Sequence, residues 1–308
     1  MIRSSVNLER FIHPPPAWAD YSKLDGVQGL RSKTDIRAAA FPVCCQRILA
    51  PDFSLLPVER PVLAQWSAPW AFRGTPGPEG IVYTDLRQDF PRPDPSTVEG
   101  FRGIWAATLA DTMGRHGIMS PDIRPIFEGI QLVGVAATVL NYPNDNITTH
   151  QALTMLQPGD VLVLDEGDGN VTGSFGHNMS LQARNRGAVG LVTSGCIRDL
   201  RLLREERFPV FSRGVCARSA QKSTPGSVNM PVQVGGIVVC PGDIIVGDDD
   251  GVAVVPRADA DDILLRARGR MEMEHQQAAD IKAGKRPLEI VFGEDWVTKA
   301  LKDKVRMI

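Results

Sequence analysis

The stretch Gly190-Leu-Val-Thr-Ser-Gly-Cys-Ile-Arg198-Asp199 decides how this chain is read. A short apolar run that ends in small residues reads as a buried strand. A guanidinium and a carboxylate follow it at once. In open α/β sheets, ligands gather just beyond the carboxyl ends of such strands. Arg198 keeps its charge and offers a planar fork of donors that matches a carboxylate. Asp199 is a hard oxygen ligand for a divalent cation. The pair points to a site that grips a small organic acid with a metal ion beside it. A surface ion pair at a strand end is the competing reading of the same two residues.

Working outward, Asn178 to Asn185 reads as a helix that ends at Gly187, and Val189 to Thr193 as the strand that leads to Arg198. The loop Asp165 to Asn178 is rich in glycine and opens that helix, where free backbone N–H groups can bind a carboxylate. His177, beside Gly176, is either a metal ligand or proton carrier near neutral pH, or a solvated residue of a first helical turn. Further upstream, Ile130–Leu140 and Val161–Leu164 read as strands, with a short helix from Thr148 to Leu156 between them. This alternation is that of an α/β domain with crossover connections.

One phrase occurs twice. Pro158-Gly159-Asp160 launches Val161–Leu164, and Pro241-Gly242-Asp243 launches Ile244–Val246. Both are tight turns, with Pro presetting one dihedral and Gly accepting a positive one. Each strand runs into acidic residues, Asp165-Glu166-Gly-Asp168 and Asp248-Asp249-Asp250-Gly251, and Asp249-Asp250-Gly251 reads as a hairpin turn before Val252–Val255. That hairpin is a candidate third wall of the pocket. Neither acidic loop has the glycine and closing glutamate of an EF-hand. The chain also lacks a Gly-x-x-x-x-Gly-Lys phosphate loop and a Gly-x-Ser-x-Gly elbow.

At its edges the chain changes character. Residues 1–95 carry dense proline, including Pro14-Pro15-Pro16, yet also Trp18, Trp66 and Trp70. Proline breaks helices and central strands, and tryptophan is scarce in disordered segments, so an irregular arm packed on the main domain or on a neighbouring subunit is expected. Ser96-Thr-Val-Glu99 reads as a capping box, with Val98, Phe101, Ile104, Trp105 and Leu109 at helical spacing after it. Asp259 to Gly284 reads as one long charged helix and Trp296 to Met307 as a last short one. The expected organisation is an arm over 1–95, an α/β domain over 96–270 and a helical segment over 271–308.

The global numbers exclude some functions. With 308 residues and 43% apolar side chains a sizeable core is expected, and a formal charge of −2 argues against nucleic acid as a partner. Five cysteines without a Cys-x-x-Cys fit a reduced, cytoplasmic protein. The first residues lack the apolar core of a signal peptide, and no apolar run approaches the ~18 residues of a membrane span, so no membrane partner is expected.

Taken together, the phrases Asp111-Thr-Met-Gly-Arg-His-Gly-Ile-Met-Ser-Pro121, Leu132–Thr138, Pro158–Leu164, Gly187–Val192, Gly195-Cys-Ile-Arg-Asp199, Phe208–Gly214 and Pro241–Val252 resemble the RraA-like family. That family includes class II aldolases acting on 4-hydroxy-4-methyl-2-oxoglutarate and 4-carboxy-4-hydroxy-2-oxoadipate, and the regulator of ribonuclease activity A. The resemblance runs from about Thr97 to Arg270 and leaves residues 1–95 uncovered. It implies a three-layer β/β/α sandwich in a homotrimer or homohexamer.

For the site, the resemblance implies that Arg198 binds a pyruvate moiety and stabilises its enolate, and that Asp199 holds Mg²⁺ or Mn²⁺. Backbone amides after Gly176, those of His177, Asn178 and Met179, would receive the substrate carboxylate. The activity implied is a metal-dependent lyase on a small 2-oxo acid, by aldol cleavage or by decarboxylation of an oxaloacetate-like acid. The alternatives are a non-catalytic protein-binding regulator, and a related lyase or hydrolase with His177 as base. The chain departs from the aldolase pattern twice: His177 follows the glycine where an acidic residue is usual, and Leu202 stands three places beyond Asp199 where another is.

Overall fold

The computed structural model describes residues 84–167 and 171–285, with 299, 301 and 304. All of these belong to the unit Leu63–Ile308; the unit Met1–Val62 lies outside the described residues. So do most of the expected arm and most of the expected helix at 296–307.

In chain order the elements are α1 (Pro95–Gly100), α2 (Ala106–Thr112), β1 (Arg124–Pro125), β2 (Leu132–Leu140), α3 (Ile147–Met155), β3 (Asp160–Asp165), β4 (Gly173–Phe175), α4 (His177–Asn185), β5 (Gly190–Ile197), α5 (Leu200–Glu205) and β6 (Val210–Val215). There follow β7 (Ser227–Val228), β8 (Val232–Val234), β9 (Ile237–Val239), β10 (Ile244–Asp248), β11 (Gly251–Val255) and α6 (Ala260–Lys282). One mixed sheet has the order β1-β6-β5-β3-β2-β10-β11, with β4 added beside β5 and β7 beside β2. β2, β3, β5 and β6 run parallel, each joined to the next through a helix, while β10 lies antiparallel to β2.

Strand residues alternate between two cores. Val139, Leu162, Leu164, Leu191 and Val210 pack with Leu153 of α3, Met179 and Ala183 of α4 and Leu203 of α5. Their neighbours Ala136, Val161, Val163, Val192 and Phe211 pack on the other face with Val232, Val234 and Val239 of the β8–β9 hairpin. At the far end of the sheet, Ile244, Val246, Ala253 and Val255 meet Phe101, Leu109, Ile263 and Ala267 of the remaining helices. Helices therefore cover one face and a small β layer the other, which is the β/β/α sandwich expected. Leu162, Leu164 and Leu191 are fully buried, and each such side chain contributes about 1.5–3 kcal/mol.

Both Pro-Gly-Asp turns form as read, with φ of +88° at Gly159 and +95° at Gly242. The start of the domain differs from the reading. The carboxylate of Asp94, not Ser96, caps the first helix by accepting from the Ser96 N–H at 2.8 Å. The helix then stops: Gly103 takes φ +82° and a second helix begins only at Ala106. A continuous apolar spacing had hidden that break.

The described part of the arm, from Thr84 to Asp94, is irregular and tied down. Leu86 bridges Val228 of β7, the Arg87 N–H donates to the Val228 carbonyl at 3.1 Å, and Asn229 Nδ2 donates to the Arg87 carbonyl at 2.8 Å. Arg92 pairs with the fully buried Asp160 at the start of β3 and lies over the Phe90 ring, 4.3 Å from its centroid.

Candidate active site

Three βαβ crossovers place the carboxyl ends of β3, β5 and β6 on one edge, and β5 delivers Arg198 and Asp199 there. The Arg198 N–H donates to the Phe175 carbonyl at the end of β4 (2.9 Å), so the two strands end level. Asp199 then turns the chain with φ +58°, a left-handed conformation that Asp tolerates better than most residues, and opens α5.

The Asp199 side chain makes no capping bond to its own helix. It reaches across to α4, where Oδ2 accepts the His177 N–H at 3.1 Å. Helix α4 has no acidic residue in its first turn, so the neighbouring strand end supplies the negative charge that a helix start favours. Arg198 Nε lies 3.7 Å from the same Oδ2. Gly176 makes this approach possible: a Cβ there would fall 2.5 Å from Asp199 Oδ2 and 3.0 Å from Arg198 Cγ. Its backbone is extended, at φ −145°, so the glycine is required for space.

The structure thus brings Gly176, Arg198, Asp199 and the His177 backbone together. It directs the His177 imidazole elsewhere: Nε2 lies 3.9 Å from Glu206 Oε1, beyond hydrogen-bond reach, and among the described residues this buried nitrogen has no hydrogen-bond partner. Glu206 is held on its other side by Arg184 at 3.2 Å. Of the amides expected to receive a carboxylate, that of His177 faces Asp199, and that of Met179 bonds the Gly176 carbonyl at 3.1 Å. The Asn178 N–H has no acceptor among the described residues. Leu202 is half-buried on α5 and adds no oxygen.

The acidic hairpin is not part of this site. Because β10 runs antiparallel to β2, with Gly247 opposite Leu132, the hairpin sits at the amino-terminal edge of the parallel strands. Its carboxylates serve the backbone. Asp248 accepts from the Ala106 N–H at 2.8 Å and the Asp250 N–H at 3.0 Å, and both oxygens of Asp249 accept from the Gly129 N–H.

What can hold a cation here is limited. Among the described residues no group of three or more His, Cys, Asp or Glu side chains is placed to bind a metal ion. Among the described residues Asp199 Oδ1 accepts no hydrogen bond; the contacts of this carboxylate run through Oδ2. One open carboxylate oxygen suits an ion that keeps most of its water and takes further ligands from the substrate, as Mg²⁺ does. It does not suit a closed structural metal cage. Burial pushes the Cys196 thiol, on β5 just before Arg198, above its ordinary value; Cys216 adds to the rise and Arg213 opposes it. Cys196 is therefore not a ready thiolate.

Two features escaped the sequence reading. Arg198 Nη1 donates to Ser219 Oγ at 2.6 Å, across 21 positions of sequence. The fully buried Glu166 accepts from Ser174 Oγ at 2.6 Å and Asn141 Nδ2 at 3.1 Å behind β4. No local spacing signals either contact.

Residues 106–254 match the family RraA-like: Aldolase/RraA. A protein of Halalkalibacterium halodurans with the printed name "Putative 4-hydroxy-4-methyl-2-oxoglutarate aldolase" is 35% identical over 169 residues, 54% of this chain and 80% of that protein. A protein of the same name from Burkholderia multivorans is 34% identical over 141 residues, 46% of this chain and 85% of that protein. The chain belongs to the RraA-like family. Among solved structures, an uncharacterized protein of Pseudomonas syringae pv. tomato superimposes with a TM-score of 0.60 at 27% identity, covering 65% of this chain and 95% of that one. RraAS2 of Streptomyces coelicolor, described as an unusual member of the RNase ES inhibitor RraA family, gives 0.57 at 28% identity, over 61% and 99% of the two chains.

Proposed function

We propose that this protein is a lyase that cleaves a small 2-oxo (hydroxy) dicarboxylic acid through a pyruvate enolate, with Mg²⁺ or Mn²⁺ as cofactor. The observation that carries the reading is the cluster at the end of β5: Arg198, Asp199 and Gly176 in contact, with Asp199 fixed by the His177 N–H at 3.1 Å. The names of the curated relatives support it.

Arg198 binds the oxygens of the 2-oxo acid and offsets the negative charge that develops as the carbon–carbon bond breaks. Charge stabilisation of this kind is commonly the largest catalytic contribution. Asp199 is the residue that would hold the metal ion, whose chemistry when bound is Lewis-acid polarisation of the 2-oxo group. The Asn178 N–H is the amide left open for a carboxylate. Aldol cleavage and oxaloacetate-type decarboxylation share this enolate, and the proposal covers both. It places the chain in a homotrimer or homohexamer.

The test is pyruvate release from 4-hydroxy-4-methyl-2-oxoglutarate and from oxaloacetate, with Mg²⁺, with Mn²⁺ and with EDTA. Release from either acid that stops in EDTA is expected; release at equal rate from Arg198→Ala protein would overturn the assignment. Two other readings each have one observation behind them. The likeness to RraAS2 favours a protein-binding regulator, and silence on both acids would move the assignment there. The buried His177 Nε2, which has no hydrogen-bond partner among the described residues, favours a lyase or hydrolase on another acid with His177 as base.

A further inference from the structure

We propose that Ser219 is the positioning residue for Arg198: it fixes the guanidinium at the mouth of the site before the acid arrives, and so sets the affinity for the 2-oxo acid. The inference rests on the reading of Arg198 as the acid-binding residue.

An arginine at a surface strand end is a long side chain with many rotamers, and Arg198 is 43% exposed. An acid that binds such an arginine must order it first, and this cost is subtracted from the affinity. Here the guanidinium is held from two sides. Nε lies 3.7 Å from Asp199 Oδ2, and Nη1 donates to Ser219 Oγ at 2.6 Å. Among the described residues, Nη2 makes no hydrogen bond or ion pair.

Ser219 can act as an anchor only if its own loop is rigid, and every few residues of that loop are pinned. Before it, the Cys216 N–H donates to the Ile197 carbonyl at 2.9 Å, and the Arg218 carbonyl accepts from the Gly173 N–H at 2.8 Å. Ser219 itself bridges Gly173. After it, the Gln221 N–H donates to the Asn144 carbonyl at 2.8 Å, and the Gln221 carbonyl accepts from the Asn146 N–H at 3.0 Å. The Asp145 carboxylate then clasps the Ser223 N–H (2.8 Å), the Ser223 hydroxyl (3.1 Å) and the Thr224 N–H (2.9 Å).

Close packing explains why the loop comes so near. A Cβ on Gly173 would fall 2.2 Å from the Cys216 carbonyl and 2.9 Å from Arg198 Cβ. Glycine at that position lets β4, the end of β5 and the loop after β6 meet at Arg198. A loop tied at four points, with one hydroxyl aimed at the guanidinium, is a device for holding that guanidinium still.

The test uses the full chain with Ser219→Ala and Ser219→Thr. Calorimetric titration with pyruvate, and with oxalate as a planar stand-in for the enolate, is run in Mg²⁺. Crystal structures of both variants and of the parent protein are solved alongside. Returning the ordering cost of one long side chain to the binding step is expected to raise Kd by about fivefold in Ser219→Ala, with the melting temperature unchanged and Ser219→Thr restoring the parent affinity. Where turnover is measurable, KM rises and kcat holds, the pattern of lost uniform binding. Equal affinities in parent and Ser219→Ala would overturn the inference. If the parent binds neither acid, the functional reading fails separately, and the crystal structures still decide the positioning role. A guanidinium displaced in Ser219→Ala supports that role, and one unmoved ends it.

Discussion

Two acidic strand ends in this molecule look alike on paper and behave oppositely. Asp248-Asp249-Asp250 concentrates three carboxylates between β10 and β11; Asp199 stands alone after β5. In the hairpin, backbone N–H groups of Ala106, Gly129 and Asp250 consume the oxygens of Asp248 and Asp249. At the β5 end, among the described residues, one oxygen of Asp199 takes a single N–H and the other takes none, while Arg198 Nη2 makes no hydrogen bond. Density of charge in a sequence therefore does not mark a site. Hydrogen-bonding capacity left unspent, on residues whose backbone is fixed, marks it.

Substitutions at the two ends should separate along the same line. The largest expected effect is on turnover: Arg198→Ala lowers pyruvate release by about 10²–10³-fold, the range for losing one preorganised charge-stabilising donor. Its melting temperature should stay close to the parent's, because the side chain is exposed. Asp199→Asn keeps the left-handed turn and should lower turnover comparably while weakening Mn²⁺ binding, which can be read by electron paramagnetic resonance.

Asp248→Ala should do the reverse. It removes the acceptor for the start of α2, and a cost of about 1–2 kcal/mol in chemical denaturation is expected. Activity per folded molecule should be intact. A hairpin variant that lost turnover without losing stability would break the comparison.

The smallest effect concerns acid. Burial raises the Asp145 carboxyl, but the N–H groups of Ile147, Thr224 and Ser223 and the Ser223 hydroxyl outweigh it and hold the group below its ordinary value of 3.8. A carboxyl depressed in the folded state adds stability that is complete above the unfolded value and disappears as pH falls through the folded one. The parent's melting temperature should therefore drop below about pH 4, and Asp145→Asn should flatten that limb. An unchanged acid limb would show that the clasp on the Ser219 loop contributes little.

Much of this architecture was legible in the sequence. Apolar runs of strand length and the two Pro-Gly-Asp turns marked β2, β3, β5, β10 and β11, because a strand buried on both faces needs an unbroken apolar run. The Arg198–Asp199 strand end was legible for the same reason, and α4 from the glycine-rich loop before it and Gly187 after it. The short strands β1, β4 and β7 were not, since two or three residues carry no period. The β8–β9 hairpin was readable in principle from Val232-Gln-Val-Gly-Gly-Ile-Val-Val239, where Gly235 and Gly236 both take positive φ. Within the site, Gly176 stood out beside the family pattern. The direction of the His177 imidazole and the hold of Ser219 on Arg198 arise only when α5 and the loop after β6 fold back, and no spacing encodes that.

The Arg92–Asp160 pair has a practical consequence for anyone shortening this protein. The match to the family model begins at residue 106, which invites cutting the chain there. A chain cut at that point would begin with α2 and lose Arg92, leaving the buried carboxylate of Asp160 with the Gln157 N–H as its one remaining partner among the described residues. Stranding one member of a buried ion pair costs about 3–5 kcal/mol, a large share of what holds a domain together. The same cut would strip Asp85 and Arg87 from β7. A shortened chain that keeps these contacts should therefore begin ahead of Asp85, some twenty residues before the family-model match starts.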